Sequence, residues 1–219
     1  MLDRFAVYAG RKNFFHLKFT GNDEFYRLLE EEKGFIIASS HVGNFELSGY
    51  LLKQDKKRIN AMVFGGETKE VMENRMKTLN MNNISIIPVK EDISHIFTVN
   101  EALSAGEIVS MPCDRTFGSA KSVECDFLSG KADFPIGAFA LAASFDVPVV
   151  SIFVIKESVS NYHVYVKPVV LESNFTTNLQ RIYTKREKAE FLTRAFVKEL
   201  ETIVRKHPTQ WFNFYEFWK

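Results

Sequence analysis

Short runs of apolar and β-branched residues alternate along this chain with longer stretches in which apolar residues recur every three to four positions. The short runs predict buried β-strands, and the longer stretches predict amphipathic α-helices. The predicted strands span residues 34–39, 59–64, 84–89, 107–112, 123–128, 147–155 and 162–170. The predicted helices span residues 23–33, 44–54, 68–79, 93–104, 136–145 and 185–207. Strands that alternate with helices predict an α/β fold.

The last predicted helix has the clearest amphipathic pattern of the chain. Its apolar face is formed by Ala189, Leu192, Phe196, Leu200 and Ile203. We expect this face to pack on the protein core rather than on a partner or a membrane. Residues 171–184 are polar and predict an exposed loop. With 219 residues and no evident linker, the chain is expected to form one domain.

Charge and composition exclude several classes of protein. Lys and Arg total 28 and Asp and Glu total 27, so no overall field favours nucleic acid or another strongly charged partner. No window approaches the roughly 20 apolar residues that a membrane-spanning helix needs, and the N-terminus lacks the pattern of a signal peptide. The two cysteines, Cys113 and Cys125, form neither a disulfide framework nor a metal-binding pattern, and we expect reduced thiols. The 21 Phe residues indicate apolar surfaces or pockets beyond the core.

The first 20 residues combine positive charge with aromatic rings. The cations are Arg4, Arg11, Lys12 and Lys18, and the rings are Phe5, Tyr8, Phe14, Phe15 and Phe19. This mixture is typical of a segment at the surface of an anionic membrane. It fits equally well a terminal helix or strand that packs its Phe residues inward. We therefore separate residues 1–20 from a folded domain over residues 21–219.

The stretch SSHVGNFEL, residues 39–47, carries the clearest chemical signal. His41 follows a predicted buried strand and lies where open α/β sheets bind ligands. Asn44 is a good N-cap, so Glu46 falls in the first turn of the next helix. On a continuous helix, side chains five positions apart point about 140° away from each other. The two can meet only if His41 folds back, and Gly43 supplies the backbone freedom for that.

Such a pair would form a general base. A carboxylate that accepts a hydrogen bond from one imidazole nitrogen fixes the tautomer and leaves the other nitrogen free. Nothing in the strand geometry directs Ser39 or Ser40 at His41, so a protein nucleophile is not indicated. A base of this kind would activate a substrate hydroxyl directly. The alternative is a structural histidine beside a glutamate that stabilises a helix dipole. A zinc site is weakly supported, because clusters at metal-ligand spacing are missing elsewhere.

HVGNFE resembles the HFGNWE-type signature of the late acyltransferases of lipid A biosynthesis. They belong to the lysophospholipid and glycerol-phosphate acyltransferase superfamily, whose hallmark is His, four residues, then Asp or Glu. Three further blocks are similar in the same order, at residues 67–87, 109–150 and 207–219. The first places Arg75 at the family's arginine position, and the second leads an apolar strand into Asp114. The resemblance covers about residues 20–219.

The resemblance implies a single domain with a mixed, mostly parallel central sheet flanked by helices. It implies transfer of a fatty acyl group from a thioester to a hydroxyl of a lipid or glycolipid. The implied donor is acyl carrier protein, with coenzyme A left open, and no metal or other cofactor is expected. His41 would take the hydroxyl proton and Glu46 would orient His41. The implied substrate-binding residues are Asn44, Arg75, Asp114, Arg115 and Lys131.

The developing negative charge on the thioester oxygen also needs donors. We expect free backbone amides at residues 43–45, where a helix begins, to supply them, with added charge from Arg115 or Arg75. The six aromatic residues near the C-terminus are Trp211, Phe212, Phe214, Tyr215, Phe217 and Trp218. About half should pack in the core on a helix, and the remainder should line an acyl tunnel or rest on a bilayer.

Two departures from the family pattern concern the acceptor. Asp114-Arg115 replaces a common Asp-Gln, and residues 127–130, FLSG, replace Phe-Phe-Gly. The acceptor therefore stays open between lipid A, another glycolipid, an amino-acid lipid and an aryl lipid. Family members usually carry an extra N-terminal region, often with a membrane helix, and this chain begins well inside that length. The expected location is peripheral, on the cytoplasmic face of the bacterial inner membrane.

Two other functions remain open. A thioesterase or lipid hydrolase would use His41 to activate water instead of a lipid hydroxyl. A non-catalytic lipid-binding module would keep the fold without turnover.

Overall fold

A computed structural model describes residues 3, 6–7, 11–45, 47, 55–64, 83–89, 94–116, 121–170 and 183–219. Its strands are β1 (His16–Thr20), β2 (Phe35–Ser39), β3 (Ile59–Phe64), β4 (Ile84–Val89), β5 (Ile108–Pro112), β6 (Ser122–Phe127), β7 (Gly130–Pro135), β8 (Val149–Lys156) and β9 (Asn161–Pro168). Its α-helices are α1 (Asn22–Glu30), α2 (Ser94–Ser104), α3 (Gly137–Phe145) and α4 (Lys185–Lys206). Short 3-10 helices lie at Lys12–Phe14 and Pro208–Gln210.

Seven strands form one central sheet in the order β1-β9-β8-β2-β5-β3-β4. Neighbouring strands run parallel except for β8 and β9, which form an antiparallel hairpin. The predicted α/β fold with a mixed, mostly parallel sheet is therefore confirmed. Strands β6 and β7 form a separate antiparallel hairpin whose turn is residues 128–129.

Apolar side chains cover both faces of the central sheet. Along β2, Ile36 and Ala38 pack on one face with α2, α3 and α4, whereas Phe35 and Ile37 pack on the other face with α1. This alternation follows from the period of two in a strand, and burial on both faces is why β2 is apolar throughout. The predicted apolar stripe of α4 packs on the core, where Ala189, Phe196 and Leu200 are fully buried.

The strands predicted from apolar runs all occur, with bounds that shift by at most two residues. Two further strands were missed. Strand β7 has the sequence GKADFP, which lacks β-branched residues, and it forms because β6 pairs with it across a two-residue turn. Strand β1 lies in the basic and aromatic N-terminal segment and pairs with β9 at the edge of the sheet.

Burial in the N-terminal segment differs from residue to residue. Phe15 is buried in the core, while the neighbouring Phe14 is 50% exposed. Of the N-terminal rings that the structure describes, at least one therefore packs inward. The membrane-facing interpretation of residues 1–20 stays a prediction. The predicted helix 68–79 and most of the predicted helix 44–54 and loop 171–184 lie outside the described residues.

Candidate active site

His41 lies just beyond the carboxyl end of β2, and β5 is the parallel neighbour of β2. The register pairs Ser39 with Pro112, so the same offset places His41 beside Asp114. The backbone amide of Cys113 donates to the carbonyl of Ser39 at 2.8 Å and extends this pairing past both strands. Parallel strands that end together thus bring a histidine and a carboxylate to one edge of the sheet, where α/β folds form their sites.

Asp114 uses both carboxylate oxygens on the same residue. Its Oδ1 is 2.8 Å from His41 Nδ1, and its Oδ2 accepts the backbone amide of His41 at 2.8 Å. The Asp114 side chain is 1% exposed and the His41 side chain 20% exposed. Because a carboxylate only accepts hydrogen bonds, this contact favours the tautomer with the proton on Nδ1, in which Nε2 is the acceptor nitrogen.

The second ring nitrogen of His41 is available for chemistry. Within the described ranges, Nε2 makes no hydrogen bond to the protein. The ring meets the edge of Phe45, with centroids 5.1 Å apart, so its plane is restricted as well as its tautomer. An imidazole oriented in this way, with one ring nitrogen free of protein partners in the described ranges, has the geometry that a general base needs.

The cysteine beside Asp114 is not a nucleophile. Burial, and then the negative charge of Asp114, raise the pKa of the Cys113 thiol far above its ordinary value. A buried thiol of that kind stays protonated and inert at neutral pH. Cys113 is therefore not a candidate nucleophile beside His41.

The loop after His41 depends on a glycine. Gly43 has a φ of +65°, and a Cβ atom there would lie 2.0 Å from the carbonyl oxygen of Val154. Only glycine fits this close approach to β8.

The predicted supply of free amides at residues 43–45 is wrong for two of the three positions. The amide of Gly43 donates to the Gln210 carbonyl at 2.8 Å, and that of Asn44 donates to the Val154 carbonyl at 2.7 Å. Both amides hydrogen-bond to neighbouring backbone carbonyls, so neither is free to donate to a substrate oxygen.

Residues 210–212, which we call the C-terminal clamp, hold the other side of this loop. The side-chain amide of Gln210 accepts from the amide of Lys156 and donates to its carbonyl, both at 2.9 Å. The amide of Phe212 donates to the His41 carbonyl at 3.0 Å, and Trp211 pairs with Val42. The backbone on either side of the His41 side chain is thus tied to the end of the chain.

Arg115 also contacts the clamp. Its guanidinium donates a hydrogen bond to the carbonyl oxygen of Phe212, and it lies 5.7 Å from the ring centroid of Tyr215. Arg115 follows Asp114 directly in the sequence, so these contacts keep a cation close to the histidine–carboxylate pair.

Asn44, predicted to bind substrate, contacts a buried network. Its Nδ2 donates to the hydroxyl of Tyr162 at 3.3 Å, and this hydroxyl donates to the carboxylate of Asp3. Asp3 also forms an ion pair with Lys156. Burial, followed by the hydrogen bond to Asp3, raises the pKa of the Tyr162 hydroxyl, which stays neutral. These contacts give Asn44 a structural role, while its substrate role stays a prediction.

Of the remaining predicted site residues, only Lys131 lies in the part of the chain that the structure describes. Lys131 lies on β7, and its ammonium forms an ion pair with Glu124 at 3.1 Å. Glu46 and Arg75 lie outside the described residues, so the proposed coupling of Glu46 to His41 and the phosphate role of Arg75 stay predictions. In the described structure, Asp114 contacts Nδ1 of His41, whereas the sequence interpretation had Glu46 accept a hydrogen bond from one of the two imidazole nitrogens.

Sequence reasoning missed both the pairing of His41 with Asp114 and the clamp. The signal for the pair was present, because each residue follows a buried apolar strand. The order of strands in the sheet, which makes β2 and β5 neighbours, has no local signature in the sequence. The contacts of Gln210 with Gly43 and Lys156 are likewise set by tertiary packing.

The described structure is a mostly parallel α/β sheet with a histidine held by a carboxylate at the carboxyl ends of two neighbouring strands. The model of the family described as bacterial lipid A biosynthesis acyltransferase matches residues 8–219, almost the whole chain. The chain belongs to this family, as its sequence motifs predicted. A search of curated proteins found no match.

Family membership implies an acyltransferase that uses a lipid acceptor. Of the described helices, none is both long and apolar enough to cross a bilayer.

Proposed function

We propose that this protein transfers a fatty acyl chain from an acyl thioester to a hydroxyl of a lipid or glycolipid, with His41 as general base. The single observation that carries the proposal is the contact between His41 and Asp114. It holds the imidazole in the tautomer that a base needs and leaves Nε2 open. Family membership supplies the reaction class.

In the proposed reaction, Nε2 of His41 takes the proton of the acceptor hydroxyl as the oxygen bonds to the thioester carbonyl carbon. Asp114 stabilises the imidazolium that forms. The tetrahedral intermediate then breaks its carbon–sulfur bond, and the departing thiolate takes the proton from Nε2. The products are an ester and a free thiol. This use of a general base contributes roughly 10²–10⁴-fold to the rate.

Negative charge develops on the thioester oxygen during attack. We assign its stabilisation to Arg115, or to Arg75. The position of Arg115 next to Asp114 and its hydrogen bond to Phe212 support the first choice. Glu46 remains the predicted second carboxylate of the site.

The donor and location follow from the same proposal. We propose acyl carrier protein as the acyl carrier, with coenzyme A as the alternative thiol. We place the reaction at the cytoplasmic face of the bacterial inner membrane, with the protein attached peripherally. The support is chemical, because a lipid acceptor is confined to a bilayer.

The test uses purified protein, acyl carrier protein loaded with a radiolabelled acyl chain, and a bacterial lipid extract dispersed in detergent. We expect wild-type protein to move label into the lipid fraction. His41→Ala should reduce this transfer by at least about 10²-fold, because the general base is lost. The matched control is His16→Ala, since His16 is an exposed histidine on β1 with no proposed role.

The other outcomes of this assay would contradict the proposed acyl transfer. Label that appears only in free fatty acid would instead identify a hydrolase, and a thioester left intact by wild-type protein would identify a binding module. Near-normal transfer by folded His41→Ala, checked by circular dichroism, would remove His41 from the mechanism.

A further inference from the structure

We propose that residues 212–218, here called the aromatic loop, form the surface by which this protein contacts a lipid bilayer, directly beside His41. The inference rests on the proposed function, because it identifies the route by which a lipid acceptor reaches the base. It assigns membrane contact to the end of the chain instead of to the basic N-terminal segment.

The aromatic loop exposes an unusual amount of ring surface. Phe214 is 86% exposed, and Tyr215, Phe212 and Trp218 are 46%, 44% and 44% exposed. Single exposed apolar residues are normal on a protein surface, but a cluster of large ones marks an interaction site. Here four of the five aromatic residues in seven consecutive positions are exposed.

This exposure is built into the structure, because the loop is fixed at both ends. At its start, the amide of Phe212 donates to the carbonyl of His41. At its end, Phe217 is buried against Phe127, Phe134 and Trp211. The indole of Trp218 donates to the Phe127 carbonyl at 3.1 Å. Because the residues at both ends of the loop are anchored, the rings of Phe214 and Tyr215 between them are held at the surface.

The charges around the loop favour a bilayer over a charged protein partner. Lys219 forms ion pairs with Glu124 and Asp133, so its charge is compensated locally. The loop itself contains one exposed acidic residue, Glu216, and one cation, Arg115, lies against Tyr215. A surface that is aromatic and close to neutral fits the headgroup region, where rings with polar tips partition. An acidic carrier protein would require a cationic surface.

The aromatic loop lies beside the residue that we propose as the general base. Phe212 is hydrogen-bonded to the backbone of His41, and Arg115 lies against both Phe212 and Tyr215. A bilayer at the aromatic loop therefore lies beside the backbone of His41 and beside the guanidinium of Arg115. The acceptor would reach His41 without leaving the interface.

The experiment is a flotation assay with the full chain and extruded phosphatidylcholine vesicles, without acyl donor. The same assay is repeated with vesicles that contain anionic phosphatidylglycerol, at about 0.1 M and about 0.5 M salt. Phe214→Ser and Tyr215→Ser are the test variants. Tyr26→Ser is the matched control, because Tyr26 is also 46% exposed but lies on α1, which leads to the amino end of β2.

We expect wild-type protein to bind neutral vesicles and to change by less than about twofold with salt. Phe214→Ser should weaken binding by about tenfold or more, Tyr215→Ser by less, and Tyr26→Ser should bind like wild type. His41→Ala should also bind like wild type. Denaturant unfolding of each variant shows that losses do not reflect misfolding.

Three results would overturn the proposal. The first is unchanged vesicle binding by both loop variants. The second is binding that requires anionic lipid, is released by salt and is lost in Phe14→Ser, which would assign the contact to the N-terminal segment. The third, from a separate binding measurement with unacylated acyl carrier protein, is a loop variant that loses affinity for this protein and keeps its affinity for vesicles. Because the assay contains no donor, its outcome does not depend on whether the proposed acyl transfer occurs.

Discussion

The carboxylate of Asp114 accepts two hydrogen bonds from a single residue, one from the ring and one from the backbone of His41. Asp114→Asn keeps the size of the side chain but replaces one acceptor oxygen by a donating amide. An amide that donates to Nδ1 selects the opposite tautomer, in which Nε2 carries the proton and is no longer a base. We expect kcat to fall roughly 10²–10⁴-fold with KM little changed, measured by steady-state transfer from the acyl thioester.

Two controls accompany this substitution. Asp114→Glu keeps the charge but moves it by one methylene group, and it should recover only a small part of the activity. His16→Ala changes an exposed residue of β1 with no proposed role, and it should leave kcat within about twofold. If Asp114→Asn kept nearly full activity, the carboxylate would have no role in orienting His41, and Glu46 would become the stronger candidate.

At the scale of elements, the C-terminal clamp links β8 to the loop that carries His41. Gln210→Ala would leave the amide and the carbonyl of Lys156 without their side-chain partner. We expect a loss of about 1–3 kcal/mol in the free energy of unfolding, since partly buried backbone groups lose a hydrogen bond. We also expect a fall in kcat larger than any change in KM, because Gln210 is a positioning residue that does not touch substrate.

The neighbouring residue gives the control for this prediction. Thr209→Ala changes an exposed side chain in the same 3-10 turn and should alter stability by less than about 0.5 kcal/mol. Urea unfolding measures stability, and transfer kinetics at a temperature where both variants are folded separate kcat from KM. A Gln210→Ala protein that is destabilised but keeps wild-type kcat would make the clamp a purely structural feature.

The elements also show what the sequence can predict. Strands β3 and β4 were predicted with their observed bounds because each is a short, mostly apolar run between polar residues or glycines. Strand β7 was missed because its Lys131 and Asp133 face the polar side of a hairpin, and pairing with β6 outweighs local propensity. Helix α4 was predicted within one residue because a capping box at Thr184 and an apolar stripe mark it locally.

The site was less predictable than the elements that carry it. The position of His41 after a buried strand indicated catalysis, and the family motif raised that interpretation further. Its observed partner Asp114 is 73 residues away in the sequence and is brought close by the neighbouring positions of β2 and β5. Strand order is a property of the whole sheet, so no local pattern near His41 could name this partner.

At the scale of the whole molecule, both ends of the described chain contact the neighbourhood of His41. Asp3 binds Tyr162, which holds Asn44, and the clamp binds Val42 and Gly43. Neither end lies in the same part of the sequence as the loop that it supports. The site geometry therefore requires a complete sheet, and we expect folding of the site and folding of the domain to be one event.

That expectation can be tested with two core residues on opposite faces of the sheet. Leu28 on α1 and Leu200 on α4 are buried in different apolar clusters, and β2 contributes alternate side chains to both. Each Leu→Ala substitution should cost about 2–5 kcal/mol. Because the residues do not share a partner, the double variant should show the sum within about 0.5 kcal/mol. Urea unfolding followed by circular dichroism and by tryptophan fluorescence should give one coincident transition.

Acyl transfer should disappear over the same urea range, since His41 follows the strand that both clusters share. Two separated transitions, with activity following only the one shifted by Leu200→Ala, would contradict this. That pattern would show that the face of the sheet with α4, the β6–β7 hairpin and the buried Phe217 maintains the site independently. Coincident transitions would instead show that the geometry of His41 and Asp114 depends on the packing of both faces of the sheet. Substitutions far from the site would then change activity only by changing the fraction of folded protein.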